Sequence, residues 1–518
     1  TGRGQRHQDE APAAGGQQVA GRLRAVAEKA GLSRAAYEGF ELMPLGGVWR
    51  SGRGSGVSVD TDPWSGDTLV EIRHADTEDL DGAYSAAVEA QRSWAARTPS
   101  ERAAVFLAAA EILDARSEEI TSWLVHETGG TVAKAELERG LVRAGMLEAA
   151  SLPHHVTGTI LPSDVPGKEN RVYRQPAGVV AVISPWNFPL QLSNRSVAPA
   201  LAVGNAVVLK PAGDTPVCGG LLLARILEEA GLPAGLLSVV VGSGREIGDA
   251  IVQHPVPAVV SFTGSSPVGE GITRKAGIKR LALELGGNGP LVVLDDADLD
   301  IAVEAATFGS FFHQGQICMI ANRLIVDGRV HDEFVDRLTD RVRGLVVGDP
   351  TDPATDLGPI INRSQLAGIQ DKIARALSEG ARQVFGGDPV GPAGLGLPPH
   401  VLVADPQVAT AREEVFGPVI TVLRARGDEE ALTLANATEY GLSSAVFSTD
   451  VSRATRFALG VMAGMTHVND SPVNDDANTA FGGVKSSGIG RFGGQWAVEE
   501  FTTDHWISVQ HRPRPYAF

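Results

Sequence analysis

Cysteine is nearly missing from this chain: Cys218 and Cys318 are the two thiols in 518 residues. That is far too few for a secreted scaffold held by disulfides, so a reducing cytoplasm is the expected compartment and either thiol can be free. A basic excess is missing as well. The 45 Lys and Arg against 62 Asp and Glu leave a formal charge of −17, which argues against a broad attraction to phosphate backbones or anionic membranes, so no nucleic acid partner is expected. No segment reaches the roughly 18 consecutive apolar residues of a membrane span, and Thr1 to Gln18 lacks the apolar run of a secretory signal. There is no internal repeat. Gly and Pro, at 61 and 30, are too few for a collagenous or disordered chain. What is present is the balance of a soluble globular enzyme, 43% hydrophobic and 21% charged, long enough for about three folded units.

Residues 1–35 read as a flexible extension, within which Leu23, Val26, Ala27 and Ala30 recur at the spacing of a short amphipathic helix ending near Gly31. Thr98-Pro99-Ser100-Glu101 combines a capping threonine, a first-turn proline and a glutamate three residues after the cap, and predicts a helix running to Arg116. From Gly178 short β-branched runs (Val179 to Ile183, Ala206 to Leu209, Leu237 to Val241, Ala258 to Phe262) alternate with helical stretches. One of those helices starts at Thr215-Pro216 and closes at Gly231. This is the pattern of parallel α/β layers. A second alternating set from Leu291 to about Gly464 predicts a second α/β unit, and Gly386 to Pro399 reads as surface loop.

Several residues can carry chemistry, each with a plainer reading beside it. Gly242-Ser243-Gly244-Arg245-Glu246-Ile247-Gly248 follows a strand and opens a helix, where glycines and a helix N-terminus can receive a phosphate; a glycine-lined turn explains it equally. Cys318 follows Gly315-Gln316-Ile317, an irregular approach that would expose a thiol, although a lone cysteine usually packs as a small hydrophobe. Cys218, near the start of the Thr215-Pro216 helix, is a rival whose pKa the helix dipole can lower, and spacing does not choose between them. Glu284 is the one acid in Leu281 to Gly287: in a buried strand it is a desolvated general base, on an edge it is a solvated glutamate. Asn187, between Pro185 and Pro189 after a strand, can be a preorganised oxyanion donor or can make a local turn bond.

Taken together, Ser184-Pro185-Trp186-Asn187-Phe188-Pro189, Leu209-Lys210-Pro211, Phe262-Thr263-Gly264-Ser265, Glu284-Leu285-Gly286-Gly287, Gly315-Gln316-Ile317-Cys318, Glu413 to Pro418 and Phe481 to Gly488 stand in one order and spacing. In these stretches, from about Gly46 onward, the chain resembles the aldehyde dehydrogenase superfamily. The resemblance implies an α/β subunit in three parts: a Rossmann-like dinucleotide-binding domain (36–154 and 177–286), an α/β catalytic domain (287–485), and a small β extension (155–176 and 499–518) around Tyr173 and Trp506 that pairs subunits into a homodimer or homotetramer. It implies Cys318 as nucleophile, Glu284 as base and Asn187 as oxyanion donor, with NAD or NADP as cofactor and no metal. Cofactor contacts carried over are Ser184, Pro185, Trp186, Lys210, Gly213, Gly242, Gly248, Phe262, Gly264, Ser265, Leu285, Glu414 and Phe416. Where many relatives have a glutamate that repels a 2′-phosphate, this chain has Gly213 followed by Asp214, so NADP should be tolerated. Asn194 to Ala200, His467 to Asp475 and Ala477 to Phe481 look most like the benzaldehyde and vanillin dehydrogenase branch, which makes an aromatic aldehyde the expected substrate. Arg195 can meet a polar substituent, or pair with a helix-surface acid. The alternatives are an enzyme for aliphatic aldehydes or semialdehydes and, from another class, a catalytically idle binding protein; retention of Cys318, Glu284, Asn187 and Glu414 weighs against the last.

Overall fold

In a computed structural model that describes residues 36–517, two short antiparallel strand pairs (Met43–Leu45 with Val48–Arg50, Val57–Thr61 with Thr68–Arg73) are followed by four helices: α1 Thr77–Ala95, α2 Pro99–Ala115, α3 Ser117–Thr128 and α4 Val132–Ser151. The capping box is as expected. Thr98 Oγ1 accepts from the Glu101 N–H at 3.4 Å, the Glu101 carboxylate accepts from the Thr98 N–H at 2.8 Å, and Arg116 is the C-cap. The short helix expected over Leu23 to Ala30, like the whole 1–35 extension, lies outside the described residues.

The β-branched runs after Gly178 become β1 Val179–Ile183, then, past helix α5 Pro189–Ala202, β2 Ala206–Lys210. Helix α6 Leu222–Glu229 leads to β3 Leu237–Val239 and β4 Val259–Thr263, and helix α7 Ser266–Lys275 leads to β5 Arg280–Glu284. The sheet order is β5-β4-β1-β2-β3, all parallel, with Gly488–Ile489 antiparallel outside β5. Every residue of β2 is buried, which is why these strands read as continuous apolar runs rather than alternating ones. The chain steps outward from β1 through β2 and β3, then returns on the other side with β4 and β5. That reversal opens a crevice at the carboxyl ends of β1 and β4. Register aligns Ile183 with Lys210 and Thr263 with Glu284, so Ser184, Lys210, Gly264 and Glu284 emerge along one sheet edge. The Thr215-Pro216 helix differs from expectation at its start: Val217–Leu221 form a wider turn with π-type bonding before α6, and Gly231 closes the segment at φ +90°.

The second sheet comprises β6 Pro290–Val293, β7 Arg323–Asp327, β8 His400–Val403, β9 Val419–Ala425 and β10 Ala445–Phe447, with α8 Leu299–Phe311 between β6 and β7. Its parallel order is β8-β9-β7-β6-β10, flanked by antiparallel Arg382–Phe385 and parallel His467–Val468. Apolar clusters fill both faces. Gly386 to Pro399 is less of a surface loop than its composition suggests, because Leu395 and Leu397 are buried in one of those clusters and Val390 bridges to Gly396. A separate three-stranded antiparallel sheet joins Thr159–Leu161, Lys168–Pro176 and Thr502–Gln510, with Ile160, Tyr173 and Trp506 exposed on it. Among the described residues no helix is long and apolar enough to cross a membrane.

Candidate active site

Cys318 arrives on strained backbone. After α8, His313 and Gln314 take left-handed φ of 49° and 55°, a conformation that costs non-glycine residues of order 1–3 kcal/mol each and persists only where surroundings impose it. They do so from three directions. Gln314 Nε2 donates to the carbonyls of Gly129 and Pro359 at 3.0 and 2.9 Å, and Gln316 Oε1 accepts from the Ile361 N–H at 3.0 Å. Gly315, at φ +68°, lies so close to the Gly417 carbonyl that a Cβ there would sit 2.2 Å from its oxygen. Cys318 ends up half-buried against a cluster that includes Phe188, Ile317, Met319, Leu442 and Phe481. Burial pushes its thiol up to about 12, the nearby Glu284 charge adds to the rise, and Arg195 offsets part of it.

Cys218 is excluded as the rival nucleophile. It is fully buried, and the Glu127 carboxylate accepts from the N–H groups of Val217 and Cys218 at 2.6 and 2.7 Å. Burial, reinforced by that negative charge, drives the thiol well above its ordinary value, the opposite of the lowering expected from the helix dipole.

Glu284 closes β5. It is 2% exposed and neither carboxylate oxygen has a protein hydrogen-bond partner. Gly488–Ile489 covers the outer edge of β5, which removes the solvated-edge alternative. Desolvation raises the carboxyl to about 8, with Arg195 and Arg491 lowering it and Asp475 and Glu500 adding to the rise. Asn187, 3% exposed, donates from Nδ2 to the Gln316 carbonyl at 2.9 Å. Its bond is therefore to the loop that carries Cys318, 129 residues away, and not a local turn bond. One amide hydrogen is left for a ligand.

Sequence reasoning missed what holds Asn187 in place. Helix α5 has no capping side chain of its own. Glu138 on α4 supplies the cap, its Oε1 accepting from the N–H groups of Leu190 and Gln191 at 2.9 and 3.1 Å while Lys134 Nζ donates to Oε2 at 2.5 Å. Both side chains are fully buried. In sequence the pair is an ordinary i, i+4 contact of the kind found on helix surfaces.

The remaining candidates surround the crevice of the first sheet. The Ser184 N–H donates to the Lys210 carbonyl at 3.1 Å and its Oγ accepts from Ser193 Oγ at 2.6 Å. Beyond Pro185, the Trp186 ring meets Phe416 edge to face at 5.4 Å. Lys210 is buried, its Nζ makes one long hydrogen bond of 3.4 Å to the Pro211 carbonyl, and desolvation lowers it to about 8. Gly213 has open space where a Cβ would project, and Asp214 is engaged by Asn362 Nδ2 at 3.0 Å. Phe262 is buried with its ring against Gly264, where a Cβ would be 2.5 Å away. Ser265 is the N-cap of α7 and makes no side-chain capping bond. The Leu285 N–H donates to the Ser487 carbonyl at 2.9 Å. Gly287 fits against the Cys318 carbonyl, 2.1 Å from where its Cβ would be, and its N–H donates to Glu414 Oε1 at 2.8 Å. Burial raises Glu414 to about 7. At Gly242 to Gly248, by contrast, the helix start is already occupied: Ser243 and Glu246 cap each other, and the Glu246 carboxylate also meets His74 Nδ1 at 2.6 Å.

A thiol, an orphaned buried carboxyl and a pinned amide converge at the edge of a doubly wound sheet, beside an under-satisfied lysine and an uncapped helix start. Such a subunit has the make-up of a dinucleotide-linked dehydrogenase. The aldehyde dehydrogenase family model matches residues 49–507, and the chain belongs to that family. It is 52% identical to a vanillin dehydrogenase of Corynebacterium glutamicum, over 90% of this chain and 97% of that one. It is 46% identical to a benzaldehyde dehydrogenase of Bacillus subtilis, over 93% and 99%. Among solved structures, an NAD-dependent benzaldehyde dehydrogenase from Corynebacterium glutamicum superposes with a TM-score of 0.85 at 48% identity, covering 94% of this chain and all of that one.

Proposed function

We propose that this protein oxidises an aromatic aldehyde to the carboxylic acid with a nicotinamide dinucleotide, through a thioester on Cys318. The observation that carries the reading is the convergence of Cys318, Glu284 and Asn187 beside an apolar cluster that includes Phe188 and Phe481; the names of the similar vanillin and benzaldehyde dehydrogenases support the aromatic class.

The residues present fit the dinucleotide. Lys210 is a buried ammonium with one weak partner, suited to ribose hydroxyls. The first turn of α7 at Ser265 and Ser266, rather than the self-capped Gly242 to Gly248 turn, is the better receiver of phosphate. Glu414 lies against Gly286 and accepts from the N–H of Gly287, which packs on the Cys318 carbonyl, while Phe416 stands against Trp186; these residues would lie beside the nicotinamide. When bound, the oxidised dinucleotide supplies the hydride acceptor. NAD is favoured by the structural relative, and NADP remains acceptable because Gly213 bears no carboxylate.

Both Cys318 and Glu284 are mainly neutral near pH 7, so the thiol of half-buried Cys318 must release its proton to solvent water as its sulfur bonds the aldehyde carbon. The oxyanion that forms accepts from the free Asn187 N–H and the Cys318 backbone N–H. Loss of hydride from that carbon restores the carbonyl and leaves an acyl thioester on Cys318. Glu284, ionised, then takes a proton from water; the water oxygen bonds the acyl carbon and the sulfur departs, releasing the acid. The three-stranded sheet with its exposed Ile160 and Trp506 is the surface on which subunits would pair, and the cytoplasm is the fitting compartment.

The test is steady-state turnover with NAD and NADP on benzaldehyde, vanillin, hexanal and succinic semialdehyde. The aromatic aldehydes should lead in kcat/KM by about tenfold or more. Equal or better use of hexanal or the semialdehyde would overturn the aromatic assignment.

A further inference from the structure

One turn past Phe188, α5 presents Gln191, Asn194 and Arg195 on a common face, at i, i+3 and i+4. They line a narrow cleft of about 40 Å³ together with Asp475, Phe481 and Phe492. Arg195 is tied down on two sides: Nη2 donates to Asp475 Oδ2, and the guanidinium lies 3.6 Å from the centre of the Phe481 ring. Gln191 Nε2 donates to the same Asp475 oxygen at 3.2 Å. The acid is therefore a partner from a distant loop, not the helix-surface acid that sequence spacing suggests.

These bonds leave a complementary remainder. Gln191 Oε1 and Arg195 Nη1 are buried without a protein partner, as is Asn194 Oδ1. Gln191 is 8% exposed, and the Arg195 side chain is 8% exposed as well. A buried donor and a buried acceptor left unpaired bear their full desolvation cost unless a ligand satisfies them. Phe481 links this polar group to the chemistry, since it lines the cleft and belongs to the cluster against which Cys318 packs.

We propose that Arg195, Gln191 and Asp475 recognise a hydroxyl group on the ring of the aldehyde, Arg195 Nη1 donating to its oxygen and Gln191 Oε1 accepting its hydrogen. A hydroxyl is the substituent that satisfies both atoms at once. An ether oxygen satisfies the donor alone, and a hydrocarbon strands both. Asp475 already neutralises Arg195, so an anionic substituent would meet a carboxylate as well as a guanidinium. The inference rests on the aromatic-aldehyde reading and adds the substituent that the site selects.

The experiment compares kcat/KM for 3- and 4-hydroxybenzaldehyde with that for the isosteric methylbenzaldehydes and for 4-carboxybenzaldehyde, in the wild type, Gln191→Leu, Arg195→Met and Arg195→Lys. The hydroxyl-to-methyl ratio is taken within one preparation, so a partly unfolded variant does not alter it. In the wild type the better hydroxy isomer should lead its methyl counterpart by about tenfold or more; Gln191→Leu and Arg195→Met should bring the ratio to within about threefold of unity, and Arg195→Lys should recover part of it. If Arg195→Met yields no active protein, Gln191→Leu together with the wild-type ratio decides. A wild-type ratio near one, a ratio unchanged in the variants, or a preference for the carboxyl compound would each overturn the hydroxyl assignment while leaving aromatic oxidation standing. Turnover confined to aliphatic aldehydes would remove both readings.

Discussion

Glu284→Gln should make the protein more stable, and more so as the pH rises. The carboxyl is 2% exposed, has no hydrogen-bond partner on either oxygen, and is lifted from the ordinary 4.5 to about 8 by burial. The folded protein thus holds this proton more tightly than the unfolded chain. Stability is lost as pH climbs from the unfolded value to the folded one, and the loss levels off above about 8. The two values differ by 8 − 4.5, and at about 1.4 kcal/mol per pH unit the charged carboxylate costs the native state roughly 5 kcal/mol at alkaline pH. Gln has the same shape and never ionises. Asp60, Glu127 and Glu414 are also raised, but they are common to both proteins and cancel in the difference. Urea unfolding at matched protein concentration should show the variant ahead by about 2 kcal/mol near pH 6 and about 5 kcal/mol near pH 9. A gap that is constant across that range, or one that favours the wild type as pH rises, would refute the reading of Glu284 as a desolvated acid held at the cost of stability.

In the proposed mechanism deacylation needs the ionised form of Glu284, so single-turnover thioester hydrolysis should increase with pH through about 8, and Glu284→Gln should abolish that limb and leave a burst of reduced dinucleotide followed by slow turnover. Cys318→Ala should eliminate aldehyde oxidation with dinucleotide binding retained by calorimetry, whereas Cys218→Ala should leave turnover close to wild type, because Cys218 is sealed in the core. Asn187→Ala should lower kcat by about 10²–10³-fold in steady-state assays, the usual effect of removing one oxyanion donor. Gly213→Glu introduces a carboxylate into open space; at about 1–2 kcal/mol for like charges near an exposed surface, the NADP-to-NAD ratio of kcat/KM should fall by roughly 5–30-fold, and an unchanged ratio would contradict the selectivity argument.

Much of this was legible in the amino-acid order. The apolar runs from Val179 onward announced buried parallel strands because such strands are covered on both faces, and the Thr98 capping box announced a helix because its bonds are local. Cys318, Glu284 and Asn187 could be nominated from their neighbours, since glycines and prolines around them mark backbone that regular elements do not tolerate. Local chemistry could not choose between Cys218 and Cys318. The choice depends on Glu127, about 90 positions away in the chain, whose carboxylate occupies the turn that Cys218 would have needed to become acidic.

Tertiary packing alone decided the rest. The cap on α5 comes from Glu138, the clamp on the Cys318 loop from Gly129, Pro359 and Ile361, and the partner of Arg195 from Asp475. Each interaction joins segments between about 45 and 280 residues apart, and spacing along a chain carries no information about contacts at that range. The elevation of Glu284 has the same origin: the strand run predicts that the residue can be buried, but desolvation becomes a pKa only when Gly488–Ile489 closes the sheet edge and no donor is supplied to either oxygen. Sequence determined which groups could react; the folding of distant segments around them determined their protonation, their orientation and the polar remainder facing the cleft.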